Sequence, residues 1–252
     1  MRHEAFAPIG AGVDDVHVGC LGSHEIAELR RLLAEHGVLV IRSQNIDDVE
    51  FVSFLRCFGD LVFTEGETPV DGYSDLNVIS NVGRKTPPKS TFHVDTTYVR
   101  HPPAYTALRA VEVPAAGGQT LFSNQYRAYA TLPAADRSFV DRRKVTHRVT
   151  GLAGMDGSAV HPLVLKHPLS HQKSLYLSAP ARCVAVSGMS ESDGAEFIEY
   201  LVDHSTREPN VYRHSWSPGD VVMWDNRCVM HKADHSGVVG DRVMHRGMVA
   251  GG

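Results

Sequence analysis

The chain has 252 residues, 42% of them apolar and 21% charged, with a formal net charge of −4. This composition excludes wholesale disorder, supplies apolar material for one sizeable core, and lacks the basic footprint of a nucleic-acid binder. Four cysteines with no C-x-x-C pair argue for reduced core thiols over a disulfide framework or a zinc cluster. The first residues show no cationic stretch followed by an apolar run, and no run is long enough to cross a bilayer. A cytoplasmic protein with no membrane or nucleic-acid partner is expected. No repeat, low-complexity tract or linker divides the sequence, so a single domain over 1–252 is expected.

The first elements are two helices with a strand between them. After Ser23, the residues Ile26, Leu29, Leu32 and Leu33 recur at helical spacing, and Gly37 supplies the stop. The apolar run 38–42 reads as a buried strand. A second helix begins at Asp47, where Glu50 completes an acidic capping box and Val49, Val52, Phe54, Leu55 and Phe58 form the apolar body. Beyond Ser74 the pattern changes to short β-rich runs at 76–80, 92–98, 104–113, 145–149, 175–178, 211–216, 221–224 and 242–249. Turns rich in Pro and Gly, such as Ser217-Pro218-Gly219-Asp220, separate them. A short helix is expected after Asn124, and a longer one from Ser190 that carries Phe197, Ile198, Leu201 and Val202 to a core. Alternating β-α units, a G-x-G-x-x-G fingerprint and a P-loop are all missing, which argues against a dinucleotide-binding sheet. The expected class is mainly β with flanking helices: a jelly-roll, cupin-like barrel with helical buttresses.

The most informative stretch is Phe92-His93-Val94-Asp95-Thr96-Thr97-Tyr98. Its β-branched and aromatic residues favour a strand, in which His93 and Asp95 would share a face as a two-point chelate. Taken alone, H-x-D is a weak signal. His231 offers a third ligand, reached through Trp224-Asp225-Asn226-Arg227, with His235 as the competing choice. Two imidazoles and one carboxylate leave three metal positions open, which suits non-haem Fe(II) oxygen chemistry. A zinc hydrolase calls instead for three neutral or thiolate ligands, or for a helical H-E-x-x-H.

An Fe(II) oxygenase needs electrons beyond those of its substrate, and an oxo-acid supplies them by decarboxylation. The remote carboxylate of that acid needs a fixed cation. Arg242 and Arg246 share one strand face; Arg246 is taken as the cation, and Thr120, after the Gly117-Gly118 turn, as a second donor. Arg242 reads as an exposed or ion-paired structural arginine, and His245, His161 and His167 as structural. Trp216 and Trp224 read as core. Asp225 and Asn226 read as corner residues, with a supporting role near His231 left open. The basic cluster Arg84, Lys85 and Lys89 reads as a solvated loop or, alternatively, as a lid holding an anionic substrate.

With H-x-D, G-G-x-T, W-D-N-R…H and M-H-R in this order, the sequence resembles the taurine dioxygenase and chlorophenoxyacetate dioxygenase family of Fe(II)- and 2-oxoglutarate-dependent oxygenases. The resemblance runs from Pro8-Ile9-Gly10-Ala11-Gly12-Val13 through Cys57-Phe58-Gly59-Asp60-Leu61 to Met244-His245-Arg246, nearly the whole chain. It implies a double-stranded β-helix. It also implies Fe(II) held by His93, Asp95 and His231, and the C5 carboxylate of 2-oxoglutarate held by Arg246 and Thr120. O2 would be the oxidant, succinate and CO2 would be released, and a small, anionic organic substrate would be hydroxylated or oxidatively cleaved. A homo-oligomer is implied as well. Taurine-specific members carry a polar amide where this chain has Lys89, which argues against taurine. The alternative is a non-catalytic jelly-roll binding or regulatory protein.

Overall fold

The two N-terminal helices form where their end signals put them. Helix Ser23–His36 begins where the Glu25 carboxylate accepts the Gly22 N–H at 2.8 Å, and it stops at Gly37, whose φ is 71°. Helix Asp48–Arg56 has the reciprocal box: Glu50 N–H donates to Asp47 Oδ1 at 2.9 Å, and Asp47 N–H to Glu50 Oε2 at 3.1 Å. The computed structural model describes residues 1–64, 66–83, 90–150 and 156–250.

Both helices cover one face of a nine-stranded sheet. Its spatial order is Arg2–Ala5, Ala11–Asp14, Val38–Ile41, Val221–Asp225, Pro103–Glu112, Val243–Ala250, Tyr73–Ser80 and Pro69–Val70, with Leu61–Val62 also on Val243–Ala250. Side chains alternate between two cores. Leu39, Ile41, Ala107, Val221 and Met223 meet Leu29, Leu33, Phe51 and Leu55 of the helices. Val38, Val40, Leu108, Val222 and Trp224 face the other way, onto Phe122 and Val229. The strands are apolar on both faces for this reason. Among the described residues no helix is long and apolar enough to cross a membrane.

A smaller sheet closes over the second face. Strand Thr120–Asn124 is its centre, flanked by Val211–His214 and Val229–Ala233. Two sheets packed on one core, antiparallel except for the parallel pair Ala11–Asp14 and Val38–Ile41, make the jelly roll, the double-stranded β-helix that the sequence led us to expect. A third layer joins the barrel through Val94 and Met230. It consists of the sheet Ser158–Pro162, Lys144–Arg148 and Cys183–Val186 under helix Glu191–Thr206, which Ser190 caps.

Three expectations need correction. The segment 92–98 is not a strand: it makes a single bridge, His93 to His231, and then turns, with Thr96 at φ 52° and Val99 N–H donating to Thr96 O at 3.3 Å. The physical reason is tertiary. His161 Nε2 gathers the carbonyls of Thr97 and Val99 at 2.8 and 3.1 Å, and this outweighs β propensity. The runs at 175–178 and 211–216 leave their ladders early, at Leu175 and His214. Of the four cysteines, all free, only Cys183 and Cys228 are buried; Cys20 is exposed.

Burial in these layers makes the fold acid-sensitive. Burial, reinforced by the charges of His161 and Arg182, pushes His147 down to about 3, and burial lowers His214 despite its Asp220 partner. His147 stays neutral in the native state and His214 is harder to protonate there than in the unfolded chain, which takes up protons below about pH 6.5. Stability is therefore present above about 6.5 and falls below it, by as much as about 1.4 kcal/mol per pH unit for each histidine. Urea midpoints are expected to be level from pH 8 to 7 and to drop steadily from 6.5 to 5. A level profile down to pH 5 would contradict this.

Candidate metal centre

The His93–His231 bridge is the seed of the site. Each residue donates its N–H to the other's carbonyl, at 3.0 and 2.9 Å, and this brings the ring centroids to 4.4 Å. The turn that follows swings Asp95 back toward the pair. Its Oδ1 lies 3.6 Å from His93 Nε2 and its Oδ2 lies 3.9 Å from His231 Nε2. The three ligand atoms lie within 4.8 Å of one another, and His231, not His235, completes the group.

These separations are too long for hydrogen bonds. His93 Nδ1 donates to Thr91 O at 2.9 Å, so its Nε2 presents a lone pair. Two imidazole nitrogens and a carboxylate facing one point are an arrangement that a divalent cation satisfies. Burial works to raise the Asp95 carboxyl, yet His231, His93 and Arg246 around it hold it well below the usual carboxylate range. Burial, aided by His93 and Arg246, pushes His231 down to about 3 against the pull of Asp95. His231 is thus neutral, as a metal ligand must be.

A polar relay behind the triad fixes the carboxylate. Thr106 Oγ1 donates to Asp95 Oδ2 at 2.8 Å, Asn226 Nδ2 donates to Thr106 at 2.9 Å, and Trp224 Nε1 donates to Asn226 Oδ1 at 3.1 Å. Asn226 is thereby a supporting residue of Asp95 rather than of His231. The expectation missed Thr106; the available signal was a threonine in the otherwise apolar and aromatic run Ala104-Tyr105-Thr106-Ala107-Leu108.

His93, His231 and Trp224 border a cavity whose far wall holds Thr120, Arg242 and Arg246. The expectation paired Thr120 with Arg246; the guanidinium that reaches Thr120 is that of Arg242. Arg242 Nη2 donates to Thr120 Oγ1 at 3.3 Å and its Nε to Gly118 O at 2.9 Å. Arg242 is 2% exposed, and among the described residues no carboxylate pairs with it, so it is neither a surface nor an ion-paired arginine. Burial lowers it to about 10. Trp216 Nε1 also donates to Thr120 Oγ1, at 3.0 Å, which leaves the Thr120 O–H to point at a ligand. Arg246 stands nearer the triad, with Asn77 Oδ1 at 3.3 Å, Glu67 at 3.4 Å and Asp95 at 3.6 Å.

The glycine pair makes this wall possible. Gly117 and Gly118 both have φ of 70°, and a Cβ on Gly118 would stand 2.9 Å from Pro114 Cγ and 3.0 Å from Arg242 Cδ. Gly118→Ala combines left-handed strain of about 1–2 kcal/mol with displacement of the Arg242 stem. It is expected to lower the melting temperature by a few degrees and oxo-acid affinity by about ten-fold, read by thermal scans and anaerobic titration.

His161, His167 and His245, expected to be structural, all have protein partners. His167 pairs with buried Asp225 at 3.0 Å and His245 with Asp48 at 2.7 Å. The cluster Arg84, Lys85 and Lys89 lies outside the described residues.

The model of the taurine catabolism dioxygenase TauD, TfdA family matches residues 2–248. The chain belongs to this family. Among TauD/TfdA relatives, it is 31% identical to an alpha-ketoglutarate-dependent 2,4-dichlorophenoxyacetate dioxygenase of Cupriavidus pinatubonensis, over 97% of this chain and 94% of the relative. It is 30% identical to an (S)-phenoxypropionate/alpha-ketoglutarate-dioxygenase of Delftia acidovorans, over 97% and 93%. The crystal structure of a taurine dioxygenase from Burkholderia xenovorans superposes with a TM-score of 0.89 at 29% identity, over 100% of this chain and 89% of that one. The TauD/TfdA family is one of enzymes, so a non-catalytic binding protein is set aside.

Proposed function

We propose that this dioxygenase uses Fe(II), 2-oxoglutarate and O2 to hydroxylate or oxidatively cleave a small anionic organic substrate, releasing succinate and CO2. One observation carries the reading: a convergent His-Asp-His group shares a cavity with a buried arginine–threonine pair. When bound, the metal and cosubstrate supply the O2 activation that decarboxylates 2-oxoglutarate and oxidises a substrate C–H bond.

The chain's own part is to bind, orient and exclude water. His93 and His231 contribute neutral nitrogens, and Asp95 the charge that favours a dication. Thr106 and Asn226 keep that carboxylate aimed. Arg242 neutralises the C5 carboxylate of 2-oxoglutarate, and the free O–H of Thr120 donates to it. Arg246, beside Asp95, adds positive charge to the same cavity. Leu108, Ile79 and Trp224 supply an apolar wall that limits water around the reacting atoms. The relatives named for phenoxy acids support an anionic substrate.

Anaerobic addition of Fe(II) and 2-oxoglutarate is expected to give the visible charge-transfer absorption of the chelate, and a panel of organic anions to stimulate succinate release. No absorption in the wild type, or the same absorption in His93→Ala/Asp95→Ala, would refute the proposal.

A further inference from the structure

We propose that His161 is a positioning residue for Asp95: from a separate layer of the fold it holds the backbone turn that carries this carboxylate to the two imidazoles. The assignment deepens the dioxygenase reading above and rests on it.

Asp95 has the least backbone support of the three members of the metal group. His231 lies in strand Val229–Ala233, and His93 is bridged to it. Asp95 belongs to no strand. Thr106 aims its side chain, at 2.8 Å, but does not fix its main chain. The next residue, Thr96, has φ of 52°, and among the described residues it is the only β-branched one at positive φ. A branched Cβ disfavours that conformation, and the composition of the segment favours an extended chain. Within the turn, one hydrogen bond opposes this, from Val99 N–H to Thr96 O at 3.3 Å. The turn is therefore held from outside.

His161 supplies the hold. Its Nε2–H donates to Thr97 O at 2.8 Å and to Val99 O at 3.1 Å, drawing both carbonyls toward one hydrogen. The mount is rigid. His161 sits in strand Ser158–Pro162, opposite Val145 of strand Lys144–Arg148. Its ring is packed edge-on against His147 and Tyr176, with centroids at 5.3 and 5.6 Å. On the other side of Asp95, Ser178 Oγ accepts the Val94 N–H at 3.4 Å and donates to Val94 O at 3.3 Å. Asp95 and Thr96 are thus spanned between two anchors, Ser178 before them and His161 after them. Releasing the second anchor lets Thr96 leave positive φ, and Asp95 moves with it relative to His93 and His231. The reach of the donor is specific. Glutamine carries an N–H the same number of bonds from its Cα as His161 Nε2, whereas asparagine stops one bond short.

The test is anaerobic calorimetric titration of the whole chain with Fe(II), with the visible absorption of Co(II) added in its place as a readout of ligand geometry. His161→Phe keeps a ring and removes the donor. This variant and His161→Asn are each expected to weaken Fe(II) binding by about ten-fold and to shift the Co(II) bands. His161→Gln is expected to bind Fe(II) within about three-fold of wild type, with unshifted bands. Val145→Ala opens a cavity in the same layer without touching the turn. It is expected to lower the melting temperature by a few degrees yet leave metal affinity within about two-fold of wild type. Unchanged affinity in the Phe and Asn variants, a loss in His161→Gln equal to that in His161→Phe, or an equal loss in Val145→Ala would each overturn the assignment. So would failure of both the Phe and Asn variants to fold, since His161 would then serve the fold as a whole. A wild type that takes up neither ion is a separate result, which removes the dioxygenase reading and this assignment with it.

Discussion

Asp95→Ala is expected to weaken Fe(II) binding by about a hundred- to several-thousand-fold, and to abolish 2-oxoglutarate turnover with it. Asp95 is the one anionic member of the group, and Arg246 lies 3.6 Å away. Without the carboxylate, an arriving dication meets two neutral imidazoles and a guanidinium offset by Glu67 alone, so the attraction is lost. The substitution also frees Thr106 and Asn226, whose hydrogen bonds at 2.8 and 2.9 Å aim the carboxylate. Thr106→Val removes the aim while keeping the ligand, and is expected to cost about ten- to a hundred-fold in metal affinity. Calorimetric titration with Fe(II) under anaerobic conditions separates the two. A thermal scan adds a readout independent of turnover: Fe(II) raises the melting temperature of wild type and leaves that of Asp95→Ala unchanged. A metal-induced rise that survives in Asp95→Ala would exclude this residue as a ligand.

The sequence carried the elements whose signals are local. Gly37 and the Asp47/Glu50 box act within one turn of chain: the first helix stops and the second starts where these residues say. The doubly buried strands were legible as continuous apolar runs because helices cover one face and the barrel core the other. Strand Thr120–Asn124 was not, although it is the centre of the smaller sheet, because Ser123 and Asn124 break its apolar pattern and its partners lie far along the chain. Segment 92–98 failed in the other direction. Its composition favours a strand, but His161, from a separate layer, gathers its carbonyls into a turn. The spacing of His93 and Asp95 still brought both to the site, by a turn rather than by strand alternation. The arginines mark the limit of spacing arguments. Arg242 and Arg246 project toward the same cavity, and only the position of the Gly117-Gly118 turn, remote in sequence, decides which of them meets Thr120.

That choice leads to the second large effect: Arg242→Met is expected to lower 2-oxoglutarate affinity by about 30- to several-thousand-fold while leaving the ligand-free protein as stable as wild type, or more so. The affinity loss follows from removing the cation that a buried carboxylate needs, a change worth about 2–5 kcal/mol. The stability effect has the opposite sign because the ligand-free protein holds this guanidinium 2% exposed and without a counter-ion among the described residues. Burial lowers Arg242 to about 10, so near neutral pH it remains charged and the fold bears the desolvation. An unbranched thioether of similar length fills the space without that penalty, although Gly118 O loses its donor. A melting temperature unchanged or a few degrees higher, together with lost 2-oxoglutarate binding, is the signature of a cation kept for its ligand. Arg246→Met serves as the control: its guanidinium sits with Asn77, Glu67 and Asp95, and its loss is expected to reduce 2-oxoglutarate affinity by less than about ten-fold. A larger loss in Arg246→Met than in Arg242→Met would reverse the assignment and return the C5 carboxylate to Arg246.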